Sequence, residues 1–371
     1  MRFYHIKPFD TVVFGENKSS VAGDDHEKGG KFPPEIMKLF NLGKEVKFLG
    51  IFPMKEDKIY MPMPADILGM RKSAGLEGPF YVPLIDGISK KNFFETDMMT
   101  ETLPWVREIE ALEKLGGYIS AEAFFQKYIK HSGGKLNLCN GDIEEELFKD
   151  ELRIGIAIDY SLRTVKESML YSILHYRLKD GFVILVDGEI EKELASVGGE
   201  NKVARVVEWD RNDGAVCCYQ LQEDIEIKEG NLYKFYLTTH AFINCDLKAC
   251  KELMIDGMID GVKMRIKWVY SNGAEWISGV ERGSGEENGK SENDEKSNNT
   301  NESKMKKKPA ILMLKPGTVF VLRALENGKL KRIAQIADPI DFRIFSSDEK
   351  AVIEKDKFIK RGWGSGVIWE L

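Results

Sequence analysis

Two cation-bearing, glycine-punctuated segments are the places where this sequence could do chemistry on an anion. The first, FGENKSSVAGDDHEKGGK, carries Lys18, Ser19, Ser20, His26, Lys28 and Lys31, interrupted by Asp24 and Asp25. Ammonium groups and hydroxyls suit phosphate oxygens. The segment is also longer than the few residues that usually join two elements, which marks a loop as functional or disordered. The second, VGGENKVAR, offers the bare backbone of Gly198 and Gly199, then Asn201, Lys202 and Arg205 as donors. Arg163 and Lys166 in DYSLRTVKES lie between two expected strands, within reach of a phosphate, and Lys360 and Arg361 open a turn with Gly362, Gly364 and Gly366. Each has a plainer reading: a solvated connector, a turn before an edge strand, a hairpin tip, and a glycine-lined bend pressed against the first domain.

Catalysis finds less support. A histidine acting as general base needs a placed ring with a partner, and His26, beside Asp24 and Asp25, is the one histidine in an expected ligand-facing loop. His5 and His240 fall in expected strands, His175 in MLYSILHYRL and His131 at a helix end. Serine-hydrolase, kinase and P-loop motifs are absent, and the terminal GxG follows no strand-to-helix nucleotide fingerprint. Cys139, Cys217, Cys218, Cys245 and Cys250 form no CxxC pair and have no histidine at zinc spacing, so they read as small buried apolar groups. Neither metal nor cofactor is expected.

The elements that must hold these segments begin with an aromatic, β-branched strand at 2–14. A helix follows from Pro33-Pro34 to Gly43, with Ile36, Met37 and Phe40 on one face. Residues 51–150 read as a helical insertion, with helices at 104–115 and 120–131, each closed by a Gly-Gly pair; Trp105, Ile109 and Leu112 stripe the first, and Phe124, Phe125, Tyr128 and Ile129 the second. RIGIAID alternates as a strand covered on one side. MLYSILHYRL and FVILVDG read as a hairpin turned by Lys179-Asp180-Gly181, EIEKELASV as a short helix, and VARVVEW as the next strand. The order strand, helix, strand, strand, helix, strand is that of ferredoxin-like RNA-recognition modules. A weaker copy follows, with strands at 232–242, 262–270, 310–313 and 318–322 and a helix near 247–254. The fold class is therefore α+β: two tandem ferredoxin-like (RRM-like) domains at 1–212 and 213–371. Residues 283–304 contain no apolar side chain and are expected to form a disordered loop in the second.

The 371 residues, 43% of them apolar, suffice for two cores. No apolar run reaches the roughly 20 residues that cross a bilayer, and MRFYHIKPFD has charge where a signal peptide needs an apolar core, so a cytoplasmic address and no membrane partner are expected. A net charge of −6 argues against indiscriminate nucleic-acid binding and confines any RNA contact to a local patch.

Several blocks share one resemblance. KPFDTVVFGENKSSVAGDD at 7–25, MPMPADIL at 61–68, RIGIAIDYSLRTVKESMLY at 153–171, VGGENKVARV at 197–206, KPGTVFVL at 315–322 and RGWGSGVIW at 361–369 resemble, in order, the third subunit of the type III-B CRISPR (Cmr) effector complex, within the RAMP superfamily. The family's usual Arg-Pro-aromatic in the first loop is replaced by Lys18-Ser19-Ser20-Val21. The resemblance implies a non-catalytic scaffold that holds the 5′ tag of the guide RNA beside a backbone RAMP subunit and docks the large polymerase/cyclase-type subunit. It assigns RNA contact to the candidate residues above. The competing readings are a metal-independent RAMP endoribonuclease using His26, and a protein-docking adaptor that presents the acidic DIEEELFKDE stretch to a basic partner.

Overall fold

Strands dominate the chain. A computed structural model describes residues 1–12, 27–28, 46–72, 75–83, 112–139, 141–159, 164–191, 193–197, 202–209, 220–241, 253–277, 280–281, 306–307, 311–336 and 362–371. Five strands, Lys47–Lys55, Phe182–Asp187, Arg2–Pro8, Lys202–Glu208 and Leu194–Val197, lie side by side in that order, all antiparallel. Lys58–Pro62, Tyr118–Ser120 and Ile143–Glu144 extend the sheet beyond Lys47–Lys55 to eight strands. A six-stranded antiparallel sheet follows in the order Leu253–Ile259, Val262–Tyr270, Val319–Ala324, Leu232–Leu237, Ser365–Glu370, Ile333–Gln335.

Burial alternates along these strands because successive side chains point to opposite faces. On one face of the eight-stranded sheet, Tyr4, Ile6, Ile184, Ala204 and Val206 pack under Phe148 and Tyr176, which stand at the base of a long hairpin formed by Phe148–Asp159 and Thr164–Leu178. On the other face, Phe3, Phe52, Val183 and Leu185 share one core with Tyr236, Val319, Val367 and Trp369 of the six-stranded sheet. Phe235, Leu322 and Ile368 line the far side of that second sheet. The middle core thus belongs to both sheets at once.

The seam is also polar. Asp66, fully buried, meets Lys234 Nζ at 2.6 Å, and Tyr128 donates its hydroxyl to the second Asp66 oxygen at 2.6 Å. Lys234 Nζ lies 5.4 Å from the Tyr128 ring centre, within cation–π range. Burial, and then the Asp66 carboxylate, hold the Tyr128 phenol well above its ordinary pKa. Tyr236 donates to the Pro62 carbonyl, Asn272 to those of Met63 and Pro316, and the Ala65 amide to that of Gly317. The blocks MPMPADIL and KPGT therefore fasten the two sheets together.

Several expectations need correction. The insertion at 51–150 is mainly β among the described residues: Leu68–Lys72 and Gly75–Val82 pair with each other and with Glu113–Lys114 and Gly134–Leu136. Its helical part is a turn of α-helix, Ala121–Ala123, widening into a π-turn, Phe124–Tyr128, where the Ile129 amide reaches back to the Phe124 carbonyl. Ser120 caps it by accepting the Ala123 amide, and Phe124, Phe125 and Tyr128 are core residues, as their stripe predicts. The earlier helix loses its end to strand Glu113–Lys114, and Trp105 and Ile109 lie outside the described residues. Thr164–Leu178 pairs with Phe148–Asp159 rather than with Phe182–Asp187, so Lys179-Asp180-Gly181 is a corner between two layers. EIEKELASV is no helix; Leu194–Val197 is an edge strand with Ala195 and Val197 inward. Leu253 and Met254, expected to end a helix, begin a strand.

The helix at 33–43 and the loop at 283–304 lie outside the described residues. The two ends of the latter are paired, Val280 with Lys307 and Glu281 with Lys306. Deleting 283–304 would leave Arg282 and Met305 as a two-residue connection, the length that closes a hairpin. The deletion should change unfolding free energy in urea by no more than about 0.5 kcal/mol, the usual range for surface changes. A larger loss would show that the segment packs against the fold.

Candidate nucleic-acid interface

Where strand Arg2–Pro8 ends, the chain bends through Phe9 and Asp10 under the long hairpin. Arg153, on the polar side of the alternating RIGIAID strand, grips Asp10 with both terminal nitrogens, at 3.0 and 2.8 Å, the paired geometry a guanidinium gives a carboxylate. Its Nε and Nη2 also donate to one Glu151 oxygen, at 3.1 and 3.0 Å. Arg177, from the hairpin's second strand, donates to the other Glu151 oxygen at 2.8 Å and stands 3.5 Å from Asp10. Lys202, at the start of Lys202–Glu208, donates to Asp10 at 3.3 Å. Below the cluster, buried His175 meets the Thr11 hydroxyl through Nδ1 at 3.1 Å.

Three cations therefore gather around two carboxylates. The Arg153 hydrogen bonds, followed by the Thr11 amide, hold Asp10 far below the usual carboxylate pKa; Arg177, then Arg153, lower that of Glu151. Both acids are ionised at neutral pH, and they fix the rotamers of Arg153, Arg177 and Lys202. Side-chain exposures of 31%, 46% and 21% keep part of Arg153, Arg177 and Lys202 in contact with solvent. Preset donors lose less side-chain freedom when a phosphate arrives.

Of the residues that sequence singles out, Lys202 is placed in this cluster. Arg205 is three positions on in an unbroken strand, so it points to the opposite face of the sheet, and the two do not form one site. Lys28 pairs along Leu174 beside the hairpin, and Lys166 lies within Thr164–Leu178. Lys18, Ser19, Ser20, His26, Lys31, Arg163, Gly198, Gly199, Asn201, Lys360 and Arg361 lie outside the described residues. Sequence reasoning missed Asp10, Arg153, Glu151 and Arg177. Asp10 and Arg153 do stand inside quoted blocks, KPFD and RIGIAID, at the polar ends of apolar strands.

The glycine-rich turn at the C-terminal end is a packing device. Gly362 and Gly364 have φ of 81° and 73°, and a Cβ on Gly362 would lie 2.8 Å from Phe48 atoms. Thr239 donates to the Gly362 carbonyl and the Gly364 amide to that of His240. The acidic stretch from Asp142 is likewise held by its own chain: Asp142 accepts from Lys127, Glu144 pairs with Lys55, and Leu147 and Phe148 are buried. Among the described residues, no three His, Cys, Asp or Glu side chains gather as metal ligands, and no helix is long and apolar enough to cross a membrane.

The chain is mostly β, of α+β type, with Arg153, Arg177 and Lys202 gathered at a corner between strand ends. It matches the family described as CRISPR-associated protein (Cas_Cmr3) over residues 4–368, and it belongs to that family. The CRISPR system CMR subunit Cmr3 of Saccharolobus solfataricus is 37% identical over 68 residues, 16% of this chain and 22% of that protein's length. Among solved structures, a chain of the type III-B Cmr-beta bound to cognate target RNA is similar over 98% of this chain and 95% of its own, at 14% identity and a TM-score of 0.45. A chain of Cmr-beta bound to cognate target RNA and AMPPnP is similar over 86% of each, at 14% identity and a TM-score of 0.42.

Proposed function

We propose that this chain is a non-catalytic RNA-binding scaffold subunit of a cytoplasmic type III-B CRISPR effector complex, holding the 5′ tag of the guide RNA. It stands between a backbone RAMP subunit and the large polymerase/cyclase-type subunit. Membership of the Cmr3 family supports the place in the complex, and the observation that carries RNA binding is the preset cluster of Arg153, Arg177 and Lys202 around Asp10. Each half is a ferredoxin-like unit, at 1–212 and 213–371. In support, strands Arg2–Pro8, Lys47–Lys55, Phe182–Asp187 and Lys202–Glu208 stand in the spatial order second, third, first, fourth. Leu232–Leu237, Val262–Tyr270, Val319–Ala324 and Ser365–Glu370 repeat that order.

The test is binding of an RNA oligonucleotide that carries the tag, measured across salt concentrations. Lys202→Ala and Arg177→Ala should each lower affinity and reduce the slope of log K against log salt by about 0.7, the value of one single-strand phosphate contact. Unchanged slopes would remove the corner from the RNA path. The isolated chain should cut nothing above background, with or without His26→Ala; metal-independent cleavage that disappears with His26 would establish the nuclease reading instead.

A further inference from the structure

The margin of the eight-stranded sheet has a second face, turned away from the Asp10 cluster, that is both apolar and basic. Three strands build it. Register sets Lys7 opposite Arg205 and Arg205 opposite Leu194; one step along, Val203 faces Ser196 and accepts the Phe9 amide at its carbonyl; one step back, His5 faces Val207. Partners directly opposite in a ladder project to the same side. The inward-facing set of the same strands, Tyr4, Ile6, Ala195, Val197, Ala204 and Val206, is buried under the hairpin. The outward set is not: Leu194 is 57% exposed, Val203 44%, Val207 45% and Phe9 67%.

Lys7 and Arg205 are exposed within this apolar surface, and none of the residues in its rows is acidic. In a chain of net charge −6, such a face is the reverse of the whole. It runs to the sheet edge, where Leu194–Val197 is the last strand. Contiguous exposed apolar surface of this kind marks an interaction site. Three of its four large apolar side chains are aliphatic and offer no stacking plane to a nucleobase, which favours protein over RNA as the occupant.

We propose that this face docks an acidic, amphipathic segment of a protein partner, whose apolar side chains cover Leu194, Val203 and Val207 and whose carboxylates meet Lys7 and Arg205. The inference rests on the reading of the chain as a complex subunit, and it gives protein docking to Arg205 while leaving RNA to Lys202. One seven-residue strand, Lys202–Glu208, thereby serves two ligands from its two faces.

The test uses the full chain and the purified remainder of the effector complex, with association read by mass photometry and biolayer interferometry. Val207→Asp and the double variant Lys7→Ala with Arg205→Ala should each weaken docking about tenfold or more, as centrally placed contacts do. Melting temperature and the salt slope of tag-RNA binding should stay unchanged, and Lys202→Ala should leave docking intact. Equal docking by wild type and both variants overturns this proposal alone. A loss of RNA affinity with docking intact makes the face an RNA platform, and a self-dimer broken by the variants makes a second copy the occupant; either overturns it. Failure of the wild-type chain itself to join the other subunits would refute the subunit reading, and this proposal with it.

Discussion

Lys234→Met should destabilise the protein by roughly 3–5 kcal/mol in urea unfolding, the cost of leaving one partner of a buried ion pair uncompensated. Both members are almost fully excluded from water, at 2% and 0% side-chain exposure, so solvent cannot take over the charge that remains. Asp66 would keep the Tyr128 hydroxyl, and one neutral donor offsets only part of a buried carboxylate's desolvation. The double variant Asp66→Asn with Lys234→Met should recover much of the loss, because it removes the orphaned charge while keeping a polar group for Tyr128. Since Asp66 lies in the insertion and Lys234 in the six-stranded sheet, the single variant should also loosen the two sheets from each other. A single variant within about 1 kcal/mol of wild type would mean that the pair is hydrated and behaves like a surface bridge.

The second large effect belongs to Gly181→Ala. Gly181 sits at the corner between the long hairpin and the eight-stranded sheet with φ of 90°, and an added Cβ would lie 2.1 Å from the Ile6 carbonyl oxygen and 3.1 Å from the Lys7 Cα. The left-handed conformation alone costs a non-glycine residue about 1–3 kcal/mol. The clash is with backbone in the centre of a sheet, so no side chain can swing aside. Gly261→Ala is the control: its φ is 96°, yet nothing stands within 4 Å of its added Cβ. Gly181→Ala should lose clearly more stability than Gly261→Ala, and the difference measures the collision. Equal losses would show that the corner can move away from Ile6.

Strand signals were legible in β-branched or alternating runs: the opening strand, RIGIAID, FVILVDG and VARVVEW are all strands. In RIGIAID the packing departs from the pattern, since Ile154, expected on a covered face, is 68% exposed. ELASV failed because Leu, Ala and Glu favour helix by weak intrinsic preference, whereas pairing with Lys202–Glu208 decides the outcome at an edge. The Lys-Asp-Gly turn was read correctly for its positive φ and wrongly for the strands it joins, since a turn is local and pairing is not. The Asp10 cluster was hidden for a related reason: Arg153 and Asp10 are 143 residues apart, and only the hairpin's fold over the strand end brings them together. Lys202 was found from its loop, and its separation from Arg205 follows from counting alternate positions along the strand.

The shared middle core bears on how the protein is made. Phe3, Val183 and Leu185 are synthesised more than 180 residues before Val367 and Trp369, which close the same core. A nascent chain must therefore carry part of an apolar interface uncovered from the synthesis of Val183 and Leu185 until Val367 and Trp369 emerge, the state in which chains recruit chaperones or aggregate. Premature termination anywhere before strand Ser365–Glu370 leaves that interface open, so truncated products should be cleared by proteolysis rather than persist as independent modules.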